Sequence, residues 1–235
     1  MEESRTPTSL NKSFVNATFA PTDFESNSAL VYENFITQVE GVALKKDVLA
    51  RMRRRKFQKG HWDAVITDYK EVELPNHVLS KESGAAMERV RTQIEQTHFS
   101  EEEVEWIPSH AIQLRKDSDL KAHVDSVKFS GDIVAGLSLS SASIMRLKPA
   151  SPSELCEHDD DTTHNGETQS KSLENAGHVD LYLPPLSLYI LSGVSRFRYT
   201  HELLPSNSCF QCNGDEILVE RQGRISIIFR DKKEG

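Results

Sequence analysis

Cysteine is the first scarcity in this chain: 235 residues contain three, Cys156, Cys209 and Cys212. An odd and sparse set does not make a disulfide framework, and it points to a reducing compartment. Long apolar runs are absent, and none approaches the roughly 20 residues of a membrane span. The N-terminus has no apolar signal-peptide core, and Glu2 and Glu3 are out of place in an ordinary mitochondrial transit peptide. Positive charge does not prevail either. The net charge of −8 gives the whole molecule no general pull on phosphate backbones. Hydrophobic residues make up only 37%, so one core is possible if some segments stay outside it.

Two segments are candidates for staying outside. Residues 1–27, "MEESRTPTSLNKSFVNATFAPTDFESN", are rich in Ser, Thr and Asn and read as a disordered tail. Residues 149–177 are polar and acidic and read as a long flexible insertion between two strands. That leaves 28–235 as one domain around the insertion.

The domain begins with "ALVYENFI" (29–36), an apolar run of strand length. Thr37-Gln38-Val39-Glu40 is a capping-box pattern and predicts a helix through "VEGVALKKDVLARM". Val39, Val42, Leu44, Val48, Leu49 and Met52 are its expected apolar face. From Lys45 to Lys59 the chain carries eight Lys or Arg against the single Asp47. Such a run suits a solvated helix C-terminus, with a nucleic-acid contact as the other reading. In "SKESGAAMERVRTQIEQ" (80–96), Ala86, Val90 and Ile94 recur at helical spacing. From residue 104 short apolar or alternating runs take over: "VEWIPSHAIQL", "IVAGLSLS", "SIMRLKP", "VDLYLP", "LSLYILSG", "RFRYTH" and "RISIIFR". The expected class is mainly β with flanking helices (α+β), a sandwich, jelly roll or barrel braced by two helices.

The chemistry-bearing pattern is His-x-Asp, which occurs twice, as His123-Val124-Asp125 and His178-Val179-Asp180. On an extended segment the two side chains of such a pair lie on one side. With a distant histidine they can form the two-histidine, one-carboxylate face of a non-haem Fe(II) site. His201 in "FRYTHELL" can be that third member. Further on, Arg224, Ser226, Ile228 and Arg230 share one face of "RISIIFR". Two arginines pointing into a β core are costly without anions, so a bound dicarboxylate or a buried acidic partner is expected there. Tyr189 in "LSLYILSG" has a hydroxyl within reach of such a carboxylate.

"HVDSVKFSGDIVAGLSLSSASIMRL", "SLYILSGVSRFRYTHELL" and "RISIIFR" together resemble the AlkB-like 2-oxoglutarate/Fe(II) dioxygenases. With "HWDAVITDYKE" (61–71), the chain is similar to the mitochondrial AlkB homologue seven branch of that family. The resemblance covers most of 29–235, less the acidic insertion. It implies a double-stranded β-helix, or jelly-roll, core. It implies iron on His123, Asp125 and His201, and 2-oxoglutarate on Tyr189, Arg224, Ser226 and Arg230, with O2 as the second cosubstrate. It further implies hydroxylation or N-demethylation of a protein or RNA substrate rather than duplex DNA, by a monomer in the mitochondrial matrix. The family's links to fatty-acid metabolism and alkylation-induced necrosis come with it. The alternative is a catalytically idle jelly-roll that serves as a mitochondrial interaction module.

The two His-x-Asp copies have different expected fates. His123 precedes His201 by 78 residues (201 − 123), room for several strands. His178 precedes it by 23 (201 − 178), room for about two. In the second copy, His178, Asp180 and Tyr182 alternate with Val179, Leu181 and Leu183, which reads as a half-buried strand with a polar outer face. Three further features are expected to lie outside the chemistry. "CEHDDDTTH" (156–164) could chelate a metal weakly in the insertion. Cys209 and Cys212 in "CFQC" read as unpaired loop thiols, since zinc would need two more ligands. His61 and His110 read as structural. Arg146 is expected in the wall of the site.

Overall fold

The computed structural model describes residues 9–60, 65–99, 104–128, 130–156 and 177–233, with the side chain of Cys156 left aside. In chain order the strands and helices are β1 (Ser9–Leu10), β2 (Val15–Phe19), β3 (Ala29–Glu33), α1 (Gln38–Met52), β4 (Gln58–Gly60) and β5 (Thr67–Glu73). Then come α2 (Lys81–His98), β6 (His110–Leu114), β7 (Ser130–Ser138), β8 (Ser143–Pro149) and α3 (Pro152–Cys156). The C-terminal part holds β9 (His178–Leu183), β10 (Leu188–Leu191), α4 (Gly193–Phe197), β11 (Tyr199–Leu203), β12 (Ser208–Cys212), β13 (Asp215–Val219) and β14 (Arg224–Lys232).

The strands form an eight-stranded sheet, ordered β1-β3-β10-β7-β14-β6-β5-β4, and a four-stranded sheet, ordered β11-β8-β9-β2. The hairpin β12-β13 stands apart. Every paired strand is antiparallel. Two apolar layers follow from the two faces of the large sheet. Leu44, Val48 and Met52 of α1 and Met87, Val90 and Ile94 of α2 cover its outer face, against Leu137, Ile190, Ile227 and Phe229. Its inner face meets the small sheet through Val31, Leu114, Tyr189 and Leu191 against Met145, Leu147, Leu181 and Tyr199. This is the jelly-roll with bracing helices expected from the strand texture. Both faces of β10 and β14 are covered, which is why their sequences read as nearly continuous apolar runs. Among the described residues, no helix is long and apolar enough to cross a membrane.

Three expectations need correction. The tail reading of 1–27 fails from residue 9 onward. β1 extends the large sheet beside β3, and β2 extends the small sheet beside β9. The polar residues of this segment cap its own turns, as when Asn11 Oδ1 accepts from Ser13 N, while Phe14, Val15 and Phe24 pack on the inter-sheet core. The apolar face of α1 is narrower than expected. Gly41, Leu44, Val48 and Met52 form the buried stripe, whereas Val39, Val42 and Leu49 are 55%, 58% and 39% exposed. At 3.6 residues per turn those three lie about 95–175° from the stripe's centre. Finally, "RFRYTH" is not all strand, because Arg196 and Phe197 end α4 before β11 starts at Tyr199.

Other expectations match. The capping box is present: Glu40 N donates to Thr37 Oγ1, and Thr37 N to Glu40 Oε2. Beyond Met52 the basic residues Arg53–Lys56 are exposed, and Phe57 lies between Lys70 Nζ at 4.7 Å and the Arg115 guanidinium at 4.0 Å. The insertion joins β8 to its hydrogen-bonded neighbour β9. Its residues 157–176 lie outside the described residues, as does the 156–164 cluster apart from the Cys156 backbone.

Candidate metal and oxyacid site

The site is built at the seam between the sheets. Residues 119–123 run as a connecting segment that bridges to a neighbour on either side. On one side Thr67 N donates to Asp119 O (3.1 Å) and Lys121 N to Val65 O (2.9 Å). On the other, Leu203 N donates to Leu120 O (2.9 Å), His201 N to His123 O (2.8 Å) and His123 N to His201 O (3.3 Å). His123 and His201 are thus direct cross-strand partners, with ring centroids 4.1 Å apart. Asp125 follows two residues on. Its Oδ1 lies 3.4 Å from His123 Nε2 and 3.7 Å from His201 Nε2. One ligand atom from each of the three lies within 4.8 Å of the others, and this is the only such group among the described residues.

The electrostatics suit a divalent cation. The Asp125 carboxyl is buried, which alone would raise its pKa, yet Arg230 and the two histidines hold it well below the usual carboxylate range. Its Oδ2 accepts Arg230 Nε at 2.6 Å, so one oxygen is committed to the arginine and the other faces the imidazoles. Burial, with His123 beside it, pushes His201 down to about 3, and the ring is neutral. His123 Nδ1 lies 2.8 Å from Lys121 O. A carbonyl can only accept, so Nδ1 carries the proton when the ring is neutral and Nε2 keeps its lone pair. For His123, burial lowers the pKa but the bond to Asp125 outweighs it, so the value is raised.

The cavity beyond the triad has an apolar wall, including Ile66, Leu120, Val134 and Met145, and a polar end formed by Tyr189, Arg224, Ser226 and Arg230. All four polar residues project inward because β10 and β14 alternate. Ile225, Ile227 and Phe229 go to the helices instead. Arg224 is 3% exposed. Its Nη1 donates to Ser226 Oγ at 2.6 Å, while Nε and Nη2 have no hydrogen-bond partner. A buried guanidinium with two unmatched donors is the expected cradle for a planar oxyanion. Burial holds the Tyr189 phenol above its ordinary value, so it is a neutral donor beside Arg224. Tyr189 is paired with Gly136 across the strands. A Cβ at Gly136 would run into the Tyr189 ring, so the glycine makes room for it.

The second His-x-Asp copy is elsewhere. His178 and Asp180 lie on the outer face of the small sheet, opposite the inward Val179 and Leu181. Asp180 is buried and accepts Arg146 Nε and Nη2, each at 2.7 Å, while His178 stacks on Phe19. The face is therefore less bare than the alternation suggests, because Tyr182 also packs against Phe14 and Phe210. Arg146 is consequently not a wall residue of the site: in β8 the inward positions are Met145 and Leu147. Cys209 and Cys212 are free thiols, but they sit in β12 rather than a loop. Three residues apart on a strand, they face opposite ways. His110 Nδ1 lies 2.9 Å from Glu71 Oε1, a structural contact, and His61 lies outside the described residues. Sequence reasoning missed the buried Arg196. Its only signal was a cation set among apolar residues in "VSRF".

No family model matches the chain. Two curated relatives do, both called alpha-ketoglutarate-dependent dioxygenase alkB homolog 7, mitochondrial. The one from Mus musculus is 33% identical over 209 residues, 89% of this chain and 80% of its own length. The one from Bos taurus is 32% identical over the same shares. Among solved structures, a Pseudomonas putida prolyl-4-hydroxylase superposes with a TM-score of 0.52 at 13% identity, over 88% of this chain and 94% of that one. That likeness concerns the fold. At 32–33% identity over 89% of its length to the first two, the chain belongs to the AlkB-like 2-oxoglutarate/Fe(II) dioxygenases, in the alkB homolog 7 branch.

Proposed function

We propose that this chain binds Fe(II) through His123, Asp125 and His201, and uses 2-oxoglutarate and O2 to oxidise a C–H bond of a protein or RNA substrate in mitochondria. The observation that carries the reading is one cavity with two matched ends. One end has three ligand atoms within 4.8 Å of one another. The other has Arg224 with two unmatched donors.

His123 and His201, each through an imidazole nitrogen, and Asp125 through a carboxylate oxygen would hold the ion, a donor set that suits a non-haem Fe(II). Arg230 holds Asp125 Oδ2, so that Oδ1 stays turned to the histidines. This differs from a role on the cosubstrate alone: its Nε is already committed to the ligand. Arg224, with Ser226 and Tyr189, takes the distal carboxylate of 2-oxoglutarate as a bidentate, charge-assisted pair. The apolar wall limits water around the reacting centre. Iron held in this way supplies oxygen activation coupled to decarboxylation of 2-oxoglutarate to succinate and CO2, with one oxygen atom going to the substrate. The mitochondrial placement is supported by the names of both relatives.

The test is metal binding and succinate formation. Anaerobic Fe(II) with 2-oxoglutarate should give a visible charge-transfer band, and air should then yield succinate. His123→Ala should abolish both, while His178→Ala should leave both nearly unchanged. Loss of iron in the second variant but not the first would overturn the assignment.

A further inference from the structure

Arg196 is 2% exposed, yet it does not line the cavity and bonds none of the three metal-binding side chains. It stands in α4, between the strand that carries Tyr189 and the strand that carries His201. Its hydrogen bonds run to main-chain carbonyls and one hydroxyl, and all end on a single short segment. Nη1 donates to Asp125 O at 2.8 Å, and Nη2 to Ser126 O at 3.1 Å and to Ser130 Oγ at 2.7 Å. Ser130 Oγ in turn donates to Ser126 O at 2.7 Å. From the other flank, Asp231 accepts Asp132 N at 2.9 Å and Ile133 N at 2.8 Å. Asp125 and Ser126 are therefore held by a cation on their carbonyls, and the first residues of β7 by an anion on their amides. A buried guanidinium paired only with neutral acceptors is poor packing material, and an apolar residue would fill the same volume at lower cost.

We propose that Arg196 is a positioning residue for the metal. By fixing the Asp125 carbonyl and the turn after it, it holds the Asp125 carboxylate against His123 and His201. The inference rests on the reading of those three residues as metal ligands. Groups that orient a ligand from behind set affinity without touching the ion, and their loss typically weakens binding by roughly 10–100-fold.

The test uses Mn(II) alone, without oxygen or 2-oxoglutarate, with free Mn(II) followed by its EPR signal on the full chain below each variant's melting temperature. Arg196→Gln should weaken Mn(II) binding roughly 10–100-fold. Arg196→Lys should recover part of it, because one ammonium cannot reach every acceptor. Ser130→Ala, which removes only the relay hydroxyl, should lose less. Val90→Ala, in the distant helix α2, should lower the melting temperature and leave Mn(II) affinity unchanged. Wild-type affinity in a folded Arg196→Gln protein overturns the inference, as does an equal loss in Val90→Ala. Should Arg196→Gln fail to fold, Arg196→Lys and Ser130→Ala decide in the same way. Failure of the wild type to bind Mn(II) overturns the metal reading itself, and this inference with it.

Discussion

Arg224 is the single side chain on which the proposed cosubstrate site turns. Its guanidinium lies in the interior, with Ser226 Oγ on Nη1 and the Tyr189 phenol beside it. Each unmatched buried donor costs about 1–3 kcal/mol. Arg224→Met keeps the length and removes the charge, so the ligand-free variant should be more stable than the wild type by about 1–3 kcal/mol, read from denaturant midpoints. The gain should reverse on adding cosubstrate. At a hundred times its Kd, 2-oxoglutarate should stabilise the wild type by about 2.7 kcal/mol and the variant not at all. Both arginines of β14 were visible in the sequence because charge interrupts an otherwise apolar alternation. The partnership of Arg230 with Asp125 was not visible, since 105 residues separate them. Nor was Arg196, whose acceptors are backbone carbonyls that carry no residue-specific signal.

Among the elements, the two helices are tied by one carboxylate. Glu40 completes the α1 cap and also accepts Arg89 of α2 through two bonds, at 2.8 and 2.7 Å. Burial raises the Glu40 pKa, but the bonds from Arg89 and Thr37 outweigh it, and it falls below the ordinary 4.5. A carboxyl depressed on folding adds stability that is fully present above its unfolded value and is lost as pH falls through the folded one. Glu40→Ala should therefore cost about 1–2 kcal/mol at pH 7, and the difference from wild type should shrink below pH 4.5. Chemical denaturation across pH 3–7 measures it; a difference that grows in acid would contradict the assignment. The cap was legible because Thr-x-x-Glu is a local rule. The buried stripe of α1 was only half legible. Seven-residue spacing in Val42 and Leu49 mimics an inward face, and only the large sheet decides which side is covered.

For the molecule as a whole, the N-terminal segment closes an edge on each sheet. β1 stands beside β3 and β2 beside β9, with the Phe14 and Tyr182 rings 5.0 Å apart. Removing residues 1–19 should expose both edges and lower stability by about 2–4 kcal/mol through the lost apolar burial. Mn(II) affinity should stay unchanged, because β2 lies at the opposite edge of the small sheet from β11. Urea titration with a parallel metal titration checks both halves. The jelly-roll was readable from recurrent short runs and turns. This segment was not, because its Ser, Thr and Asn content is the same whether those groups cap turns or meet water.

The segment at 119–123 gives the sandwich a property that neither sheet has alone. Its backbone is bonded to β11 on one side and to the residues leading into β5 on the other. The sheets cannot part at this seam without breaking the pairing of His123 with His201. An ion shared by those two imidazoles would rivet the same seam a second time, through side chains. Loading the centre and fastening the two halves of the molecule are then a single event.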